Sequence, residues 1–475
     1  MEKQKSAGNA ASATAGWGEL FAGRNAIRSL TLVGGVALHA INVFIATTIL
    51  PTVVNDIGGI DYYAWNTALF VTASILGSAL IPRLLAQANP RKAYLVAAII
   101  FAAGTLGCGF ASSMPVMLAG RAIQGLGGGM LLALSYAMIR IVFEDRLWPR
   151  AIALVSGMWG VATLIGPAVG GMFAELGVWR AAFWSLIPVI AIFAAIAMII
   201  LPAEANKKGS EDRLAWRQLI LLTGSVLVIS AASLSADSLV NLVGVIIALA
   251  MLILLVRVER RSEKRIMPKG TFRLNRLGAL YLTMAFLSAS VTSSEIFLPL
   301  FFQILHHQSP LIAGYLAAIM GAGWTCGSIS SSGVAANSAD RIIVGAPIVT
   351  ALGMVVLAIF VPPGSSGQWS YILPLCLIMG VIGFSVGITW PHLLTRIFRR
   401  AEPEDQNLAS ASITTVQLFA TALGAALAGM AANLAGLSDP GGVAGTASAS
   451  LWLFVSFALM AVFALCFAII MTRKA

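Results

Sequence analysis

Apolar runs of about twenty residues or more, separated by short polar segments, repeat along the whole chain. A helix that crosses a bilayer needs about 20 mostly apolar residues, each rising about 1.5 Å. Fourteen runs meet this length, so we predict an all-α, polytopic integral membrane protein with about 14 transmembrane helices. The predicted spans are 29–53, 64–86, 93–113, 115–142, 150–174, 180–202, 215–235, 238–257, 278–303, 310–333, 342–362, 370–396, 407–433 and 449–472.

The composition supports this prediction. Of the 475 residues, 59% are hydrophobic and only 10% are charged, whereas an ordinary globular domain has about 45–50% apolar and about 25% charged residues. A soluble fold with so few charges could not cover its surface, which excludes a soluble multi-domain enzyme. Intrinsic disorder is excluded as well, because it requires low hydrophobicity.

Basic residues set the expected orientation. The formal net charge is +11, and the cytoplasmic loops of membrane proteins carry an excess of Lys and Arg. If the N-terminus is cytoplasmic, all but two of the 30 Lys and Arg lie in cytoplasmic segments or at cytoplasmic helix ends; the exceptions are Arg121 and Arg180. An even number of spans returns the C-terminus to the same side. We therefore expect a multi-pass protein of the cell (inner) membrane with both termini cytoplasmic, and no nucleic-acid partner.

Several kinds of chemistry have no signature in the sequence. The four cysteines lie inside apolar runs without paired spacing, so neither a disulfide framework nor a metal site is indicated. The first apolar run is too long for a cleavable signal peptide. Nucleotide-binding, zinc-protease and serine-hydrolase motifs are absent, so we expect neither an ATP-driven pump nor an enzyme. We expect no cofactor; the expected partners of the monomer are the lipid bilayer, a small-molecule substrate and protons.

Two motifs in the first half of the chain carry a family resemblance. Span 4 contains Arg121-Ala-Ile-Gln-Gly, followed by three glycines, and span 5 contains Gly166-Pro167-Ala-Val-Gly170-Gly171. With these motifs the chain resembles the major facilitator superfamily, specifically its fourteen-helix drug:proton antiporter branch, over about residues 29–472.

This resemblance implies an architecture and a mechanism. Spans 1–6 and 9–14 are expected to form two six-helix bundles around a central cavity, with spans 7 and 8 inserted between them. The family transports by rocking the bundles about a site near the midplane, which gives alternating access. The expected divisions are a cytoplasmic N-terminal tail 1–28, an N-terminal bundle 29–202, two extra helices with a basic cytoplasmic linker 203–277, and a C-terminal bundle 278–475.

The expected function is secondary active transport of a small amphipathic or aromatic solute, as proton-coupled multidrug-type efflux. Two positions depart from the pattern of this branch: Ala86 replaces an acidic gate residue, and Asn42 aligns with an acidic residue typical of span 1. These departures keep open an alternative, an importer of a small aromatic nutrient such as riboflavin. A polytopic membrane enzyme is a remote third alternative.

Ionisable residues inside spans are energetically expensive and are therefore candidates for function. Glu295 is the only carboxylate well inside an apolar span, and Ser288 and Thr292 precede it on the same helical face. We predict that Glu295 couples transport to protons; the alternative is a structural carboxylate. Arg121, inside span 4, is predicted to control proton transfer or contact an anionic group, unless backbone carbonyls hold it as a structural cation.

Span 1 and span 5 supply the other gating candidates. His39 and Asn42 lie at i and i+3 near the midplane, where a histidine can titrate, bind cargo or pack in the core. Small residues allow close helix approach and proline bends a helix. We therefore predict a mechanical role, with plain helix packing as the alternative, for Gly166, Pro167, Gly170 and Gly171.

Aromatic and hydroxyl side chains in the spans are candidates for the surface of the cavity. A flat or amphipathic cargo would pack against such rings, although most aromatics in spans contact lipid or other helices. The candidates are Phe44, Trp159, Tyr281, Ser288, Thr292, Phe301, Trp324 and Trp390.

Overall fold

The computed structural model describes residues 17–201, 214–273, 276–331 and 338–472. Within these ranges the chain is almost entirely α-helical and contains no β-strand. Most of the predicted N-terminal tail, residues 1–16, lies outside the described residues, and the rest of that tail is largely helical.

Fourteen long helices follow one another along the described chain. Short helical segments at Trp17–Leu20 and Arg180–Trp184 precede the first and the sixth. The bounds are α1 Gly23–Ile57, α2 Trp65–Gln87, α3 Pro90–Gly109, α4 Met114–Val142, α5 Trp148–Glu175, α6 Leu186–Ile200, α7 Trp216–Ala232, α8 Ser238–Arg261, α9 Arg276–Ile304, α10 Pro310–Ser330, α11 Ala339–Phe360, α12 Trp369–Arg400, α13 Gln406–Leu434 and α14 Gly442–Thr472.

Each predicted span corresponds to one of these helices, and thirteen of the spans are long and apolar enough to cross a bilayer, the sixth when α6 is taken together with the Arg180–Trp184 segment before it. The exception is α7, which has 17 residues and is therefore about 26 Å long. The first helix is longer than predicted at both ends. The prediction of about fourteen spans therefore fits the structure closely, and the seventh span, formed by α7 alone, is the shortest.

Local signals in the sequence explain several helix ends. The side chain of Asn89 accepts a hydrogen bond from the N–H of Lys92 and caps α3, and Ser309 caps α10 in the same way. Both caps are followed by a proline, whose missing N–H costs nothing in the first turn. At the other end of α1, Gly58 and Gly59 have φ angles of 73° and 82°, which end the helix.

The helices form two six-helix bundles with the same internal packing. In the first bundle, α1 packs on α4, α5 and α6, while α4 also packs on α2 and α3. In the second bundle, α9 packs on α12, α13 and α14, while α12 also packs on α10 and α11. The second pattern is the first one shifted by eight helices. The contacts between the bundles are related in the same way. Helix α5 packs on α10, and the equivalent helices of the other bundle, α13 and α2, pack on each other.

Glycines hold equivalent helix pairs together in both bundles. A Cβ built on Gly129 of α4 would lie 2.1 Å from the carbonyl oxygen of Ser74 on α2. In the second bundle, a Cβ built on Gly387 of α12 would lie 2.0 Å from the carbonyl oxygen of Trp324 on α10. Small residues allow backbones to approach this closely in a membrane, where packing rather than the hydrophobic effect drives helix association.

The inserted helices α7 and α8 pack on each other, and α7 touches both bundles. Trp65 Nε1 of α2 donates a hydrogen bond to the carbonyl of Ser230 at 2.9 Å. Asn433 Nδ2 of α13 donates to the carbonyl of Ser233 at 2.9 Å. The same amide donates to the carbonyl of Asp61 at 2.9 Å, so α13 is also bonded to the segment that precedes α2.

The linker that follows α8, residues 262–273, folds against the second bundle. Asp405, just before α13, accepts a hydrogen bond from the N–H of Lys269 at 2.7 Å and pairs with Arg265 at 3.4 Å. Glu259 of α8 accepts from two backbone N–H groups of the linker, at 2.6 and 2.8 Å. The linker therefore joins the inserted pair to the start of α13.

Charge is distributed unequally between the two ends of the helices. The end where α1 begins, which we name the basic face, carries Arg83, Arg91, Lys92, Arg146, Arg150, Arg217, Arg257, Arg260, Arg261, Lys264, Arg265, Lys269, Arg341, Arg396, Arg399 and Arg400. The other end, the opposite face, carries five carboxylates and, within the described chain, the single cation Arg180; the carboxylates are Asp56, Asp61, Glu175, Asp237 and Asp439.

The close approach of α4 and α2 leads to a stability prediction. Gly129→Ala would place a methyl group where a carbonyl oxygen now lies, and overpacking of this kind costs about 1–3 kcal/mol. We expect a lower thermal unfolding midpoint for the purified protein in detergent, followed by intrinsic tryptophan fluorescence.

Gly157→Ala on α5 is the matched control, because a Cβ there meets nothing within 4 Å. Its midpoint should equal or exceed that of the wild type, since alanine favours a helix. Equal midpoints for the two variants would contradict the tight α2–α4 contact.

Candidate functional site

Glu295 lies where four helices from the two bundles meet. A Cβ built on Gly321 of α10 would lie 3.5 Å from Glu295 Oε1 on α9 and 3.8 Å from Phe44 Cζ on α1. The same position is 3.1 Å from Thr163 Cγ2 on α5. We name these four residues, Phe44, Thr163, Glu295 and Gly321, the inter-bundle junction. The predicted carboxylate therefore lies at the contact between the halves rather than inside one bundle.

The Glu295 carboxylate is poorly compensated at this junction. Its Oε1 atom is buried and has no hydrogen-bond partner among the described residues. The hydroxyl of Thr163 is engaged elsewhere, because it donates to the carbonyl of Gly160 at 2.7 Å. A buried polar group without a partner is costly, and Oε1 of Glu295 is such an unsatisfied acceptor at this junction.

The glycines of the span-5 motif bring α5 against both of its neighbours. A Cβ on Gly166 would lie 2.3 Å from Phe44 Cβ, and one on Gly170 would lie 3.0 Å from the carbonyl oxygen of Ile45 on α1. On the other side, a Cβ on Gly171 would lie 2.5 Å from Leu311 Cα on α10. Pro167 lies inside the helix between these contacts. The motif thus allows one helix to touch a helix of its own bundle and one of the other bundle.

The two bundles are closed against each other on the side of the opposite face. The rings of Tyr63 and Phe297 lie 4.9 Å apart between centroids. Beside them, a Cβ on Gly429 of α13 would lie 2.6 Å from Ala64 Cβ. Together with the bond from Asn433 to Asp61, these contacts join the segment before α2 to the second bundle.

Arg121 is buried inside the first bundle, 1% exposed. Its Nη1 donates to Gln124 Oε1 at 2.6 Å, and its Nε donates to the carbonyl of Asn66 at 3.2 Å. Gln124 Nε2 in turn donates to Thr105 Oγ1 at 2.9 Å. The guanidinium also lies 4.1 Å from the centroid of the Phe70 ring, a cation–π contact. The network joins α2, α3 and α4.

No carboxylate of the described residues pairs with Arg121. Its hydrogen-bond partners are neutral oxygens and its remaining contact is an aromatic face. Arginine suits such a site because its planar fork donates in several directions at once. This arrangement is closer to the structural alternative considered for Arg121 than to a contact with a negatively charged partner inside the protein.

His39 and Asn42 are both buried within the first bundle. The His39 ring lies 5.2 Å from the Phe70 ring and 5.9 Å from the Trp159 ring, and a Cβ on Gly128 would lie 3.0 Å from its Nδ1. Asn42 is 0% exposed, and both atoms of its amide lack a hydrogen-bond partner among the described residues. The pair therefore presents unpaired polar atoms near the middle of α1.

The predicted cavity aromatics fall into separate groups. The Trp159 ring lies beside His39, and Phe44 lies with Glu295 at the inter-bundle junction. Trp324 of α10 and Trp390 of α12 form a pair with centroids 4.8 Å apart, and both are partly exposed. Among the described ring contacts, none joins the Trp159 group to the pair of Trp324 and Trp390.

The remaining candidates lie within the second bundle. Tyr281 Oη is 2.6 Å from Ser412 Oγ, and Phe301 is fully buried in a row of rings with Phe297 and Phe454. Thr292 Oγ1 donates to the carbonyl of its neighbour Ser288 at 2.8 Å and lies 3.3 Å from Thr421 Oγ1 of α13. Among the described contacts, Tyr281 and Phe301 touch protein groups of the bundle core.

Sequence reasoning missed an ion pair at the opposite face. Asp56 Oδ2 accepts from Arg180 Nη1 at 2.8 Å and from Trp179 Nε1 at 3.1 Å, and Arg180 also donates to the carbonyl of Ala111. In the sequence, the one indication of this pair was that Arg180 is one of the two cations outside the predicted cytoplasmic segments. The pair links the end of α1 to the start of the sixth span.

A buried histidine in the loop after α9 was also not predicted. His306 Nδ1 lies 2.9 Å from Ser365 Oγ. Burial lowers the pKa of His306 to about 4, so this ring is neutral at cellular pH. Its contact with Ser365 joins two loops of the second bundle.

The sequence of this chain matches a known family over most of its length. The profile of the Major Facilitator Superfamily matches residues 32–425. The chain is 36% identical over 464 residues to the "Probable multidrug-efflux transporter Rv1634" of Mycobacterium tuberculosis, which covers 95% of each chain. It is 25% identical over 408 residues to "Multidrug resistance protein 3" of Bacillus subtilis, covering 84% of this chain and 78% of that one.

Solved structures show the same fold. A bacterial homologue of the human lysosomal transporter Spinster, in an inward-facing and occupied conformation, superimposes with a TM-score of 0.61 at 17% identity, covering 94% of this chain and 96% of that one. A POT family transporter in complex with a thioalcohol-conjugated peptide gives a TM-score of 0.67 at 11% identity, covering 94% and 97%. Both the architecture and the sequence match therefore lead to one conclusion: this chain is a multi-pass membrane transporter, not an enzyme, and it belongs to the Major Facilitator Superfamily.

Proposed function

We propose that the protein exports small amphipathic or aromatic solutes across the cell membrane by proton-coupled, multidrug-type efflux. The observation that carries this proposal is the 36% identity, over 95% of both chains, to proteins named as multidrug-efflux transporters. These names favour efflux over the uptake of an aromatic nutrient. The proposed direction runs from the basic face, on the cytoplasmic side, to the opposite face.

Glu295 is the proposed site of proton coupling. It is the one carboxylate at the inter-bundle junction, and its Oε1 has no hydrogen-bond partner among the described residues. A proton on this group would remove a charge from the surface along which the bundles move. A group whose protonation favours one of two arrangements shifts the population between them.

The other candidates have proposed roles in the same cycle. The span-5 motif, Gly166, Pro167, Gly170 and Gly171, would allow α5 to shift between α1 and α10. Arg121 would keep α2, α3 and α4 together as one rigid unit. The surface offered to the solute would be formed by His39, Asn42, Phe44, Trp159, Trp324 and Trp390.

The domain boundaries and the orientation are part of this proposal. The two bundles would extend over about residues 29–202 and 278–475, with the inserted pair and its linker between them. The excess of Lys and Arg at the basic face supports a cytoplasmic position for that face and for both termini.

Replacement of the junction carboxylate tests the proposed coupling. Glu295→Gln retains the shape of the side chain but cannot carry a transferable proton. In proteoliposomes with an imposed pH gradient, we expect ethidium accumulation to fall to the passive level, while ethidium exchange without a gradient continues.

Asp237→Asn is the matched control, because it also removes a carboxylate. Asp237 caps α8 at the opposite face by accepting from the N–H of Leu239, and asparagine caps a helix equally well. Full accumulation is expected for this variant. Uphill transport by Glu295→Gln at the wild-type rate would remove Glu295 from the coupling role.

The Arg121 network can be tested with a variant that retains the charge. Arg121→Lys loses the planar fork that reaches both Asn66 and Gln124, and one charge-assisted hydrogen bond contributes about 1.5–3 kcal/mol. We expect a lower unfolding midpoint and reduced ethidium transport. Arg217→Lys, at an exposed position of the basic face, should match the wild type in both measurements; a normal midpoint for Arg121→Lys would contradict the structural role.

Reporter fusions after Ala475 test the orientation. Because the basic face is expected in the cytoplasm, a green fluorescent protein placed there should fluoresce and an alkaline phosphatase should be inactive. Active phosphatase at this position would place the C-terminus outside and reverse the proposed direction of transport.

A further inference from the structure

A groove of about 270 Å³ lies between α11 and α12 of the second bundle. Its surface is entirely apolar, because the one polar side chain that lines it, Ser385, directs its hydroxyl to the carbonyl of Ile382 at 2.8 Å. The apolar lining comes from both helices and includes Ile342, Gly345, Val349, Val381, Phe384 and Ile388.

This groove lies on the outside of the bundle. Within the described chain, α11 packs on α12 and α14, touches α9 only slightly, and makes no substantial contact with a helix of the first bundle. Val381 and Phe384 are 46% and 39% exposed. In a bilayer such a surface faces hydrocarbon, so an acyl chain is the occupant that matches its chemistry.

Two arginines lie on the same helix faces as the groove, toward the basic face. Arg341 precedes Gly345 by four residues on α11. On α12, Ile388, His392, Thr395 and Arg399 follow one another at steps of four, three and four residues. Residues at these steps share one side of a helix. Thr389 Oγ1 lies 3.3 Å from the carbonyl of Ile342, which aligns the two helices in depth.

Both guanidinium groups are available to a ligand. Arg341 and Arg399 are exposed, and neither forms an ion pair within the part of the chain that the structure describes. Asp340, the carboxylate nearest to Arg341 in sequence, is paired with Arg396, and Glu402, the carboxylate nearest to Arg399, is paired with Lys269. This leaves two uncompensated positive charges at the basic end of an apolar groove, and arginine pairs readily with phosphate oxygens.

We propose that this groove, together with Arg341 and Arg399, binds one anionic phospholipid from the leaflet at the basic face. The acyl chain lies along α11 and α12, and the arginines contact the phosphate and the negatively charged headgroup. The site is distinct from the inter-bundle junction and does not depend on which solute the protein transports.

Native mass spectrometry of the purified full-length protein tests this proposal. The probes are phosphatidylglycerol and phosphatidylcholine with identical acyl chains, added at equal concentration. We expect the first bound lipid to be phosphatidylglycerol with a preference of about tenfold, which corresponds to about 1.4 kcal/mol. The double variant Arg341→Gln/Arg399→Gln should lose this preference, whereas Arg217→Gln, which removes an exposed cation elsewhere on the basic face, should retain it.

A second variant tests the groove separately from the charges. A Cβ on Gly345 meets nothing within 4 Å, so Gly345→Leu can fold normally while its side chain fills the groove. We expect weaker retention of both lipids by this variant, with an unchanged unfolding midpoint. Equal retention of the two lipids by the wild type, a preference that survives in the double arginine variant, or unchanged retention in Gly345→Leu would overturn the proposal.

Discussion

A charge inside the hydrocarbon layer must be compensated by the protein itself, and the chain meets this constraint in two opposite ways. Arg121 is surrounded by a glutamine oxygen, a backbone carbonyl and an aromatic ring, which together hold it in one position. Glu295 has a buried oxygen without a hydrogen-bond partner among the described residues. The first group is therefore held by contacts within one bundle, while the second lies at the contact between the bundles with one oxygen unpaired among the described residues.

Close approaches at glycines occur inside the bundles and between them, whereas contacts between aromatic rings add to the second set. Within each bundle, glycines bring the backbones of neighbouring helices together, as at Gly129 beside Ser74 and at Gly387 beside Trp324. Between the bundles, glycines also lie close to a neighbouring helix, as at Gly171 beside Leu311. Aromatic rings and single hydrogen bonds add to these contacts, as between Tyr63 and Phe297. Inside a bundle, each of these glycines lies against a backbone carbonyl of the next helix, which leaves no room for one helix to slide along the other. The six helices of each bundle thus suit movement as one body.

Much of the fold could be predicted from the sequence, because each span is a local apolar run and the span-4 and span-5 motifs are contiguous. The same reasoning identified Glu295 as the lone intramembrane carboxylate. It could not place Gly321 and Thr163 beside that carboxylate, because these residues are far apart in the chain and have no distinctive local pattern. The contacts of Asp405 were missed for the same reason. Its partners Arg265 and Lys269 are far away in the sequence, where they are part of a run of basic residues.

The way α7 is attached has a mechanical consequence. Its last residues are bonded to Trp65 on one half of the molecule and to Asn433 on the other, while the linker after α8 is bonded to Asp405 at the start of α13. If the two bundles move apart at the opposite face, α7 cannot keep its hydrogen bonds to Trp65 and to Asn433 at the same time. Among the described hydrogen bonds, the inserted pair and its linker are therefore attached at more points to the second bundle than to the first.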